Sequence, residues 1–450
     1  MNHFKLSTLV AVSFSLLVLW ALTGFVLLNR DMMDTNDSPK SADPIRVLIR
    51  TGTESAALRQ IAQPFQQATG IKVEFIEVGR DSYFTAVGTQ LFAGSNTFDI
   101  VLMPSTSIAQ FASAKAIIPL DRFMAGSDPA AQEKFDLDDF LSVYRYDGSI
   151  YALPTDISTH FLYYRSDLIP NPPETWEELY EVAQQFSASL HPESPTRWGL
   201  AMPAVVPEER EKIFDSILWS FGGDLIGDDG SVLFDTRESI QSGEYLEKLV
   251  RSRIVPSDLI SWDFSRTREG LLNGDIAMAA PYWNSAYPMI TQSSSPLKDK
   301  IRIALIPGIR DGGGQVRRVP FQHGWTLAIN ASSSKQVNAW KFLEFATGKQ
   351  GGMIYARNGG VPARRSILSD PVFRDSRPDF ALILESMKMA KSEPSLIYYP
   401  AMVQVQEDAL AKILTLFASP SEAFQTAAIE LRNLSAHISI RSSKRMGEIP

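Results

Sequence analysis

The chain of 450 residues contains no cysteine. This absence excludes disulfide bonds, thiolate catalysis and cysteine-ligated zinc. It also excludes attachment as a bacterial lipoprotein, because acylation requires a cysteine directly after an apolar leader. Only five histidines occur and none forms an HExxH motif, so the sequence gives no sign of a histidine-based metal centre. We therefore predict neither a cofactor nor a bound metal.

The sequence also lacks an excess of positive charge. Its formal net charge is −8, and its basic clusters, Arg317-Arg318 and Arg364-Arg365, are too short to follow a phosphate backbone. We therefore expect no nucleic-acid partner. Hydrophobic residues make up 44% of the chain and charged residues 21%, which is typical of a globular protein with a substantial core. The length favours two to three domains.

Runs that are both long and apolar enough to span a membrane are absent apart from one, the uncharged run from Leu6 to Leu28 near the N-terminus. A helix of this length, at about 1.5 Å per residue, spans a bilayer core of roughly 30 Å. Two interpretations stay open: residues 1–30 form an uncleaved signal anchor, or they form a cleaved signal peptide. We favour the anchor, because the apolar core of a signal peptide has only about 7–15 residues. In both cases the remainder is exported to the periplasmic or extracellular face of the cell membrane, and the polar residues 31–44 form a linker.

Apolar, β-branched runs alternate with helical patterns after this linker. Strand-helix-strand-helix-strand within residues 45–103 predicts a parallel sheet with right-handed crossovers, and hence an α/β fold. A mostly helical stretch follows, and then strands return before further helices. No dinucleotide-binding or phosphate-loop motif follows any of these strands. The predicted strands lie at 45–50, 71–78, 98–103, 276–280, 301–305 and 325–329.

The most informative stretch runs from Leu162 to Leu179. It predicts an apolar strand, a proline-locked turn and then a helix with Thr175 at its N-cap. Glu177 and Glu178 follow in the first turn, where acidic groups interact favourably with the helix dipole. The stretch resembles a signature of bacterial extracellular solute-binding protein family 1, the sugar-type substrate-binding proteins of ABC importers.

Further segments resemble the same family, in the same order along the chain. Each motif alone is weak, but their order and spacing together are specific, and they cover roughly Ile45 to Leu431. One segment departs from the family pattern, because His323-Gly324-Trp325 stands where the family has two glycines before a late strand. The resembling segments are 151–154, 221–224, 228–236, 271–278, 281–283, 339–345 and 359–364.

The resemblance implies a two-lobe periplasmic-binding-protein fold, type II-like, with a hinge. One lobe would comprise residues 45–153 plus 281–325, and the other 154–280 plus 326–450. The chain would cross between them near Leu153–Thr155, Ala279–Pro281 and Trp325–Ile329.

The implied function is that of a binding protein and not of an enzyme. The resemblance implies a small-molecule carbohydrate ligand or sugar-like osmolyte, captured by hinge closure, and recognition of the closed form by the membrane subunits of an ABC importer. We expect the protein to be a monomer that contacts the membrane through its N-terminal helix.

A site for sugars needs aromatic plates and polar groups that bind hydroxyls. Tyr282 and Trp283 follow a predicted strand where the family places a stacking residue, Arg364 resembles a loop arginine of the family, and Asp156 follows a predicted hinge crossing. The other candidates lie on the predicted rim of the first lobe or beside glycine-containing turns, and packing is the competing interpretation for all of them. The full set of predicted ligand-binding residues is Glu54, Arg80, Asp81, Ser105, Asp156, Trp219, Tyr282, Trp283, His323, Trp325 and Arg364.

Two other functions stay open on the sequence. The pairs Tyr163-Tyr164 and Tyr398-Tyr399 suggest phenolate ligands of a ferric-ion or other anion receptor on the same fold. An exported glycosidase would need two carboxylates flanking a glycosidic bond, and no motif singles out such a pair.

Overall fold

Helices and strands fill most of the computed structural model. It describes residues 43–79, 82–126, 135–205, 210–227, 229–394 and 396–446, with side chains as far as residue 435. The strands are β1 (Ile45–Arg50), β2 (Val73–Val78), β3 (Ile100–Pro104), β4 (Arg145–Tyr146), β5 (Ser149–Ile150), β6 (Ala152–Pro154), β7 (Ser158–Arg165), β8 (Trp198–Ala201), β9 (Ile276–Trp283), β10 (Ile301–Leu305), β11 (Ile309–Arg310), β12 (Val316–Arg317), β13 (Phe321–His323), β14 (Trp325–Ile329) and β15 (Lys391–Ser392). The α-helices are α1 (Thr53–Thr69), α2 (Tyr83–Phe92), α3 (Ile108–Ser113), α4 (Asp121–Ala125), α5 (Trp176–Gln185), α6 (Arg210–Phe221), α7 (Arg237–Arg251), α8 (Phe264–Asn273), α9 (Ala286–Thr291), α10 (Gln336–Thr347), α11 (Lys349–Arg357), α12 (Arg365–Leu368), α13 (Asp379–Met387), α14 (Tyr399–Leu414) and α15 (Pro420–Met446).

The first sheet has the strand order β2-β1-β3-β14-β6. Strand β1 runs parallel to both neighbours, with Val47 opposite Phe75 and Ile100, so the predicted parallel sheet is confirmed. Because β1 is paired on both edges and its side chains are almost all buried, its sequence is apolar apart from Arg46 and Arg50. The carboxyl ends of β1 and β3 meet at one edge, which brings the turns that carry Glu54 and Ser105 together.

The second sheet has the order β15-β13-β7-β9-β8, and β10 pairs with β7 as well. Strand β9 lies between β7 and β8, and all eight of its residues are buried. The predicted strand at 276–280 therefore continues to Trp283. Trp283 is the last residue of β9. It lies opposite His160 of β7, and β13 pairs with β7 on the other edge.

The predicted division into lobes is wrong for two segments. Strands β10 and β13, which lie within residues 281–325, pair with β7 of the second sheet and not with the first. Strand β14 and helices α10 and α11, which lie beyond residue 325, instead pair with β3 or pack on α1. The order of family motifs along the chain does not reveal these partners, because strand pairing depends on hydrogen bonds between residues more than 100 positions apart.

Short segments connect the two sheets. Residues 155–157 join β6 to β7, and Gly324 joins β13 to β14. The chain returns once more between α11, which packs on α1, and α13, which packs on β7 and β10. The crossing predicted at Ala279–Pro281 is wrong, since these residues lie within the fully buried β9.

Helix α5 begins as the sequence predicts. The Thr175 side chain accepts a hydrogen bond from the Glu178 backbone N–H at 3.1 Å, and the Glu178 carboxylate accepts one from the Thr175 N–H at 3.3 Å. This reciprocal pair is a capping box, which satisfies backbone donors that a helix start otherwise leaves free. Trp176 then packs on Tyr245, with ring centroids 5.8 Å apart, and anchors the helix to α7.

Among the described residues, no helix combines the length and the apolar character needed to span a bilayer. The predicted span from Leu6 to Leu28 lies outside the described residues.

Candidate functional site

Five rings meet where the second sheet passes into the first. They are His160 on β7, Trp283 at the end of β9, Phe321 and His323 on β13, and Trp325 on β14, and we call them the ring cluster. Ring centroids lie 4.1 Å apart for His160 and Trp283, 6.2 Å for Trp283 and His323, and 6.0 Å for His323 and Trp325. The rings converge because β7 pairs with both β9 and β13, and β13 continues through Gly324 into β14.

The ring cluster reaches the first sheet through Trp325. The guanidinium carbon of Arg50, at the end of β1, lies 4.1 Å from the centre of the Trp325 ring, in a cation–π contact. Phe84 of α2 packs on the same tryptophan at 6.2 Å. Arg50 also lies 3.9 Å from the carboxylate of Glu54, so this predicted residue borders the ring cluster.

Ser105 and His323 share one carboxyl oxygen. The Ser105 hydroxyl, directly after β3 of the first sheet, lies 3.4 Å from Oε1 of Glu393. The same oxygen lies 3.4 Å from Nδ1 of His323. Glu393 follows β15 of the second sheet, so this contact joins the two sheets.

Trp219 supports the ring cluster from behind. Its ring stacks on Phe321, with centroids 5.6 Å apart and an angle of 8° between the planes. Its indole N–H donates to the Asp224 carboxylate at 3.2 Å, and the Lys391 ammonium lies 5.2 Å from its ring centre. Because Trp219 is buried, we assign it to the support of Phe321.

Burial favours the neutral form of both histidines of the ring cluster. It lowers the pKa of His160 well below its ordinary value, and the positive charge of Lys212 lowers this pKa further. Burial also lowers the pKa of His323 and outweighs the contact with Glu393, which acts in the opposite direction. A neutral imidazole offers one hydrogen-bond donor and one acceptor, so each ring can bind a hydroxyl group without an accompanying charge.

Asp156 lies in the first segment that joins the two sheets. One carboxyl oxygen accepts from the Ser158 hydroxyl at 2.8 Å. The other accepts from the Tyr355 hydroxyl at 3.2 Å and from the Val361 N–H at 3.3 Å. Burial, with the nearby charge of Glu54, raises the pKa of Asp156 to about 7. Asp156 therefore joins segments from both parts of the chain at their connection, and its polar contacts in this structure are to protein groups.

Two predicted ligand-binding residues lie elsewhere, and their predicted role is corrected. Tyr282 is fully buried in the second sheet, where its hydroxyl donates to the Phe264 carbonyl at 2.6 Å. The side chain of Arg364 is only 1% exposed and packs over Phe140, whose ring centre is 3.9 Å away. The guanidinium donates to the carbonyl oxygens of Thr347, Phe135 and Asp136 and to the carboxylate of Asp139. Because its donors are engaged within the protein, Arg364 stabilises the fold.

Two further predicted residues, Arg80 and Asp81, lie outside the described residues. Their proposed place on the rim of the first sheet stays a prediction.

The tyrosine pair Tyr163-Tyr164 is not arranged as a pair of ligands. Tyr163 is fully buried and its hydroxyl donates to the Trp283 carbonyl at 2.9 Å. Burial raises its pKa well above the ordinary value, which disfavours the phenolate that ferric iron requires. Tyr164 points to the opposite face, as neighbours on a strand do. Within the described part of the chain, no group of three or more histidine, aspartate and glutamate residues is arranged to hold a metal ion.

Sequence reasoning missed four members of the site, namely Arg50, His160, Phe321 and Glu393. His160 directly precedes the apolar run of β7, and Arg50 ends β1 at the edge where loops converge. A polar residue at the end of an apolar run is a signal that could have singled out these two, since ligands of such folds bind beyond strand ends. Glu393 and Phe321 carry no such signal, because their place depends on the pairing of β13 with β15 and β7.

Comparison with known proteins supports the interpretation of this geometry. Residues 60–377, more than half of the chain, match the pattern of the bacterial extracellular solute-binding proteins. The chain belongs to this family. Family membership implies a location outside the cytoplasm.

Individual relatives of this solute-binding protein agree in length and fold. The structure is similar to that of maltose-bound MalE3 from T. maritima, with a TM-score of 0.77, 25% sequence identity, and coverage of 87% of this chain and 99% of that chain. An erythritol/L-threitol-binding protein of Mycolicibacterium smegmatis is 22% identical over 80% of this chain and 78% of its own length. A probable amino-acid ABC transporter periplasmic-binding protein of Sinorhizobium fredii is 23% identical over 82% of each chain. The two-lobe α/β fold expected from the sequence is therefore confirmed.

Proposed function

We propose that this protein is the solute-binding component of an ABC importer and that it captures a sugar or a polyol. The observation that carries the proposal is the ring cluster, placed where the two lobes of a solute-binding protein meet. Sugars present apolar ring faces and hydroxyl rims, and polyols present hydroxyls on a short carbon chain. Aromatic rings flanked by neutral imidazoles and by Glu54, Ser105 and Glu393 match both features.

The proposed mechanism is selection of a closed form. A ligand that contacts residues of both lobes binds the closed arrangement better than the open one and shifts the population towards it. Trp283 and His160 lie on the second sheet, whereas Arg50 and Trp325 lie on the first, so one ligand at the ring cluster touches both lobes. The closed form is then recognised by the membrane subunits of the importer. No bond is made or broken, so we propose no enzymatic activity.

A thermal-shift screen tests the proposed ligand class. The panel contains maltose, erythritol, L-threitol, other mono- and disaccharides, and amino acids as competing candidates. A ligand at 100 times its dissociation constant stabilises the protein by roughly 2.7 kcal/mol, which gives a measurable rise in the unfolding temperature. A rise with a sugar or polyol is expected. A rise in the unfolding temperature with amino acids alone would contradict the proposal. Incubation of the protein with oligosaccharides, followed by analysis of the products, checks separately for hydrolysis.

Replacement of Trp283 tests the site itself. We expect Trp283→Ala to weaken ligand binding at least tenfold, or about 1.4 kcal/mol, because the ligand loses its stacking surface. Calorimetry with the ligand from the screen measures the effect. Trp198→Ala is the matched control, since Trp198 packs on Trp262 within the second lobe and lies outside the ring cluster. Equal affinity of the Trp283→Ala variant and the unchanged protein would place the ligand elsewhere.

We also propose that the N-terminal segment anchors the exported protein to the membrane. The match to extracellular solute-binding proteins supports a site of action outside the cytoplasm, and residues 6–28 would anchor the protein to the membrane as a monomer. Fractionation of cells that express the chain with and without residues 1–30 tests the anchor. Loss of membrane association on deletion is expected, and an unchanged distribution of the exported protein would count against anchoring.

A further inference from the structure

Glu393 joins the two lobes through a single carboxyl oxygen. The Ser105 hydroxyl of the first lobe and Nδ1 of His323 both lie 3.4 Å from Oε1. Ser105 directly follows β3, and its backbone N–H donates to the Gly324 carbonyl at 2.9 Å, so its position is fixed by the first sheet and by a connecting segment. Glu393 is fixed through β15, which pairs with β13.

Within the described part of the chain, the second carboxyl oxygen of Glu393 is buried without a hydrogen-bond partner. Its Oε2 has no hydrogen bond among the described residues, although the side chain is only 3% exposed. A buried polar atom left without a partner costs about 1–3 kcal/mol, and more when the group is charged. The arrangement in which Ser105 contacts Glu393, which we call the closed arrangement, therefore carries an unmet hydrogen bond.

The surroundings of Glu393 define what can satisfy this oxygen. Burial lowers the pKa of His323 beside it and so favours the neutral imidazole, and the rings of Trp283 and Trp325 lie 6.2 and 6.0 Å from the His323 ring. A ligand that lies on these rings is placed next to the carboxyl group. A carboxylate accepts hydrogen bonds and does not donate them, so the matching ligand group is a hydrogen-bond donor, which in a sugar or polyol is a hydroxyl, and an anionic group is repelled.

We propose that Glu393 is a ligand-dependent latch for lobe closure. Its Oε1 binds Ser105 of the opposite lobe, and its Oε2 accepts a hydrogen bond from a hydroxyl of the bound sugar or polyol. Without ligand, the partnerless oxygen disfavours closure; with ligand, the new hydrogen bond removes this penalty. Glu393 thereby couples recognition of a hydroxyl group to the movement that the importer detects. The identity of the ligand as a hydroxyl-bearing solute rests on the proposed function, whereas the penalty on closure without ligand does not.

The distance between the lobes measures the latch directly. Since the chain has no cysteine, Gln67→Cys on α1 and Glu244→Cys on α7 introduce two exposed positions, one on each lobe, for spin labels. The test variant is Glu393→Gln, made in the spin-labelled protein. Glutamine has the same size as glutamate and keeps an oxygen that can accept from Ser105, but it carries no charge that closure would remove from water. Glu385→Gln is the matched control, because Glu385 lies on α13 of the second lobe with its side chain 48% exposed.

We expect Glu393→Gln to raise the ratio of closed to open molecules at least tenfold in the absence of ligand. Addition of maltose or erythritol, whichever binds in the thermal-shift screen, should then cause a smaller further shift than it causes in the protein with Glu393. The control should match the protein with Glu385 in both measurements. Coinciding distance distributions of the Glu393→Gln variant and its parent, without ligand, would overturn the latch.

A second variant tests the same proposal if Glu393→Gln does not fold. Ser105→Ala removes the contact of the opposite lobe with Oε1 and should shift the ligand-bound molecules towards the open form. An unchanged distribution with bound ligand overturns the latch as well. If no sugar or polyol binds the parent protein, the proposed ligand class fails, while the comparison of ligand-free Glu393→Gln with its parent still decides whether Glu393 opposes closure.

Discussion

Asp156 is a buried residue whose hydrogen bonds hold together the segments that connect the two lobes. Its carboxyl group accepts from Ser158 on β7, from Tyr355 on α11 and from the backbone of Val361. The sequence predicted a ligand-binding role from its place after Pro154. The structure shows instead that its acceptors bind protein groups on both sides of a connecting segment, so its first effect is on the stability of that connection.

Asp156 predicts a pH dependence of stability. Its pKa is raised to about 7 in the folded protein from an ordinary value of 3.8, by burial and then by the charge of Glu54. A raised pKa contributes stability that is fully present below the unfolded pKa and is lost as pH rises through the folded pKa. Asp156→Asn does not titrate, and its amide can keep all three hydrogen bonds because the Ser158 hydroxyl can reverse its role.

We therefore expect the protein with Asp156 to lose stability relative to the Asp156→Asn variant between about pH 4 and pH 7, by on the order of 1–4 kcal/mol. Urea unfolding of both proteins across this range measures the difference. Parallel pH profiles would show that Asp156 is not protonated in the folded state at mildly acidic pH.

The role of an aromatic or basic side chain was the hardest feature to predict at the residue scale. Tyr282 and Trp283 are neighbours on β9, yet successive side chains of a strand point to opposite faces. One is fully buried with its hydroxyl bound to Phe264, and the other packs on His160 in the ring cluster. Similarly, Arg364 is engaged by carbonyl groups, whereas Arg50 covers Trp325. Residue type and local position do not distinguish these cases.

Helix starts are the elements that the sequence predicts best. The capping box at Thr175 depends on residues three positions apart, so it is formed by local chain alone. The predicted strands at 45–50 and 301–305 also match the structure to the residue, since their signals are local periodicities.

The capping box gives a prediction at this scale. Thr175→Ala should destabilise the protein by about 1 kcal/mol, because the Glu178 N–H loses its acceptor at the start of α5. Chemical denaturation measures the loss, and ligand affinity should stay unchanged because α5 lies outside the ring cluster. Ser107→Ala is the control, as Ser107 precedes α3 without a side-chain capping hydrogen bond. Equal losses in the two variants would contradict the specific role of the Thr175 cap.

At the scale of the whole molecule, Gly324 lies at a close connection between the two sheets. It is the single residue between β13 of the second sheet and β14 of the first. A Cβ atom at this position would lie 2.6 Å from the Tyr144 hydroxyl and 3.2 Å from the Asp156 carbonyl, so a side chain forces the connecting segments apart. The motif His323-Gly324-Trp325 departs from the family pattern in its first residue but keeps the glycine that this close approach requires.

Gly324→Ala is therefore expected to destabilise the protein by on the order of 1–3 kcal/mol and to weaken ligand binding, because the two lobes can no longer approach in the closed arrangement. Thermal unfolding and calorimetry measure the two effects. Gly88→Ala is the matched control, since among the described residues no atom beyond the local backbone of α2 lies within 4 Å of its Cβ position, and alanine there should be neutral or stabilising by up to about 1 kcal/mol. If Gly324→Ala changed stability and ligand binding as little as Gly88→Ala, the connecting segments would have room for a side chain at residue 324.

The sequence by itself determined the α/β class, the parallel start of the first sheet, the positions of six strands, the start of α5 and the family. These features follow from local periodicity, capping and the order of motifs. It also placed Glu54, Ser105, Trp283, His323 and Trp325 among the candidates, and the structure brings these residues to the junction of the two lobes.

Only the tertiary structure decided which strands belong to which sheet, and therefore where the chain crosses. In the structure, β10 and β13 pair within the second sheet, and Tyr282 and Arg364 are packing residues. His160, Arg50 and Glu393 lie in the site, which local sequence did not indicate. The physical reason is that strand pairing and burial depend on contacts between distant parts of the chain. A local sequence pattern contains no information on which distant group meets a side chain.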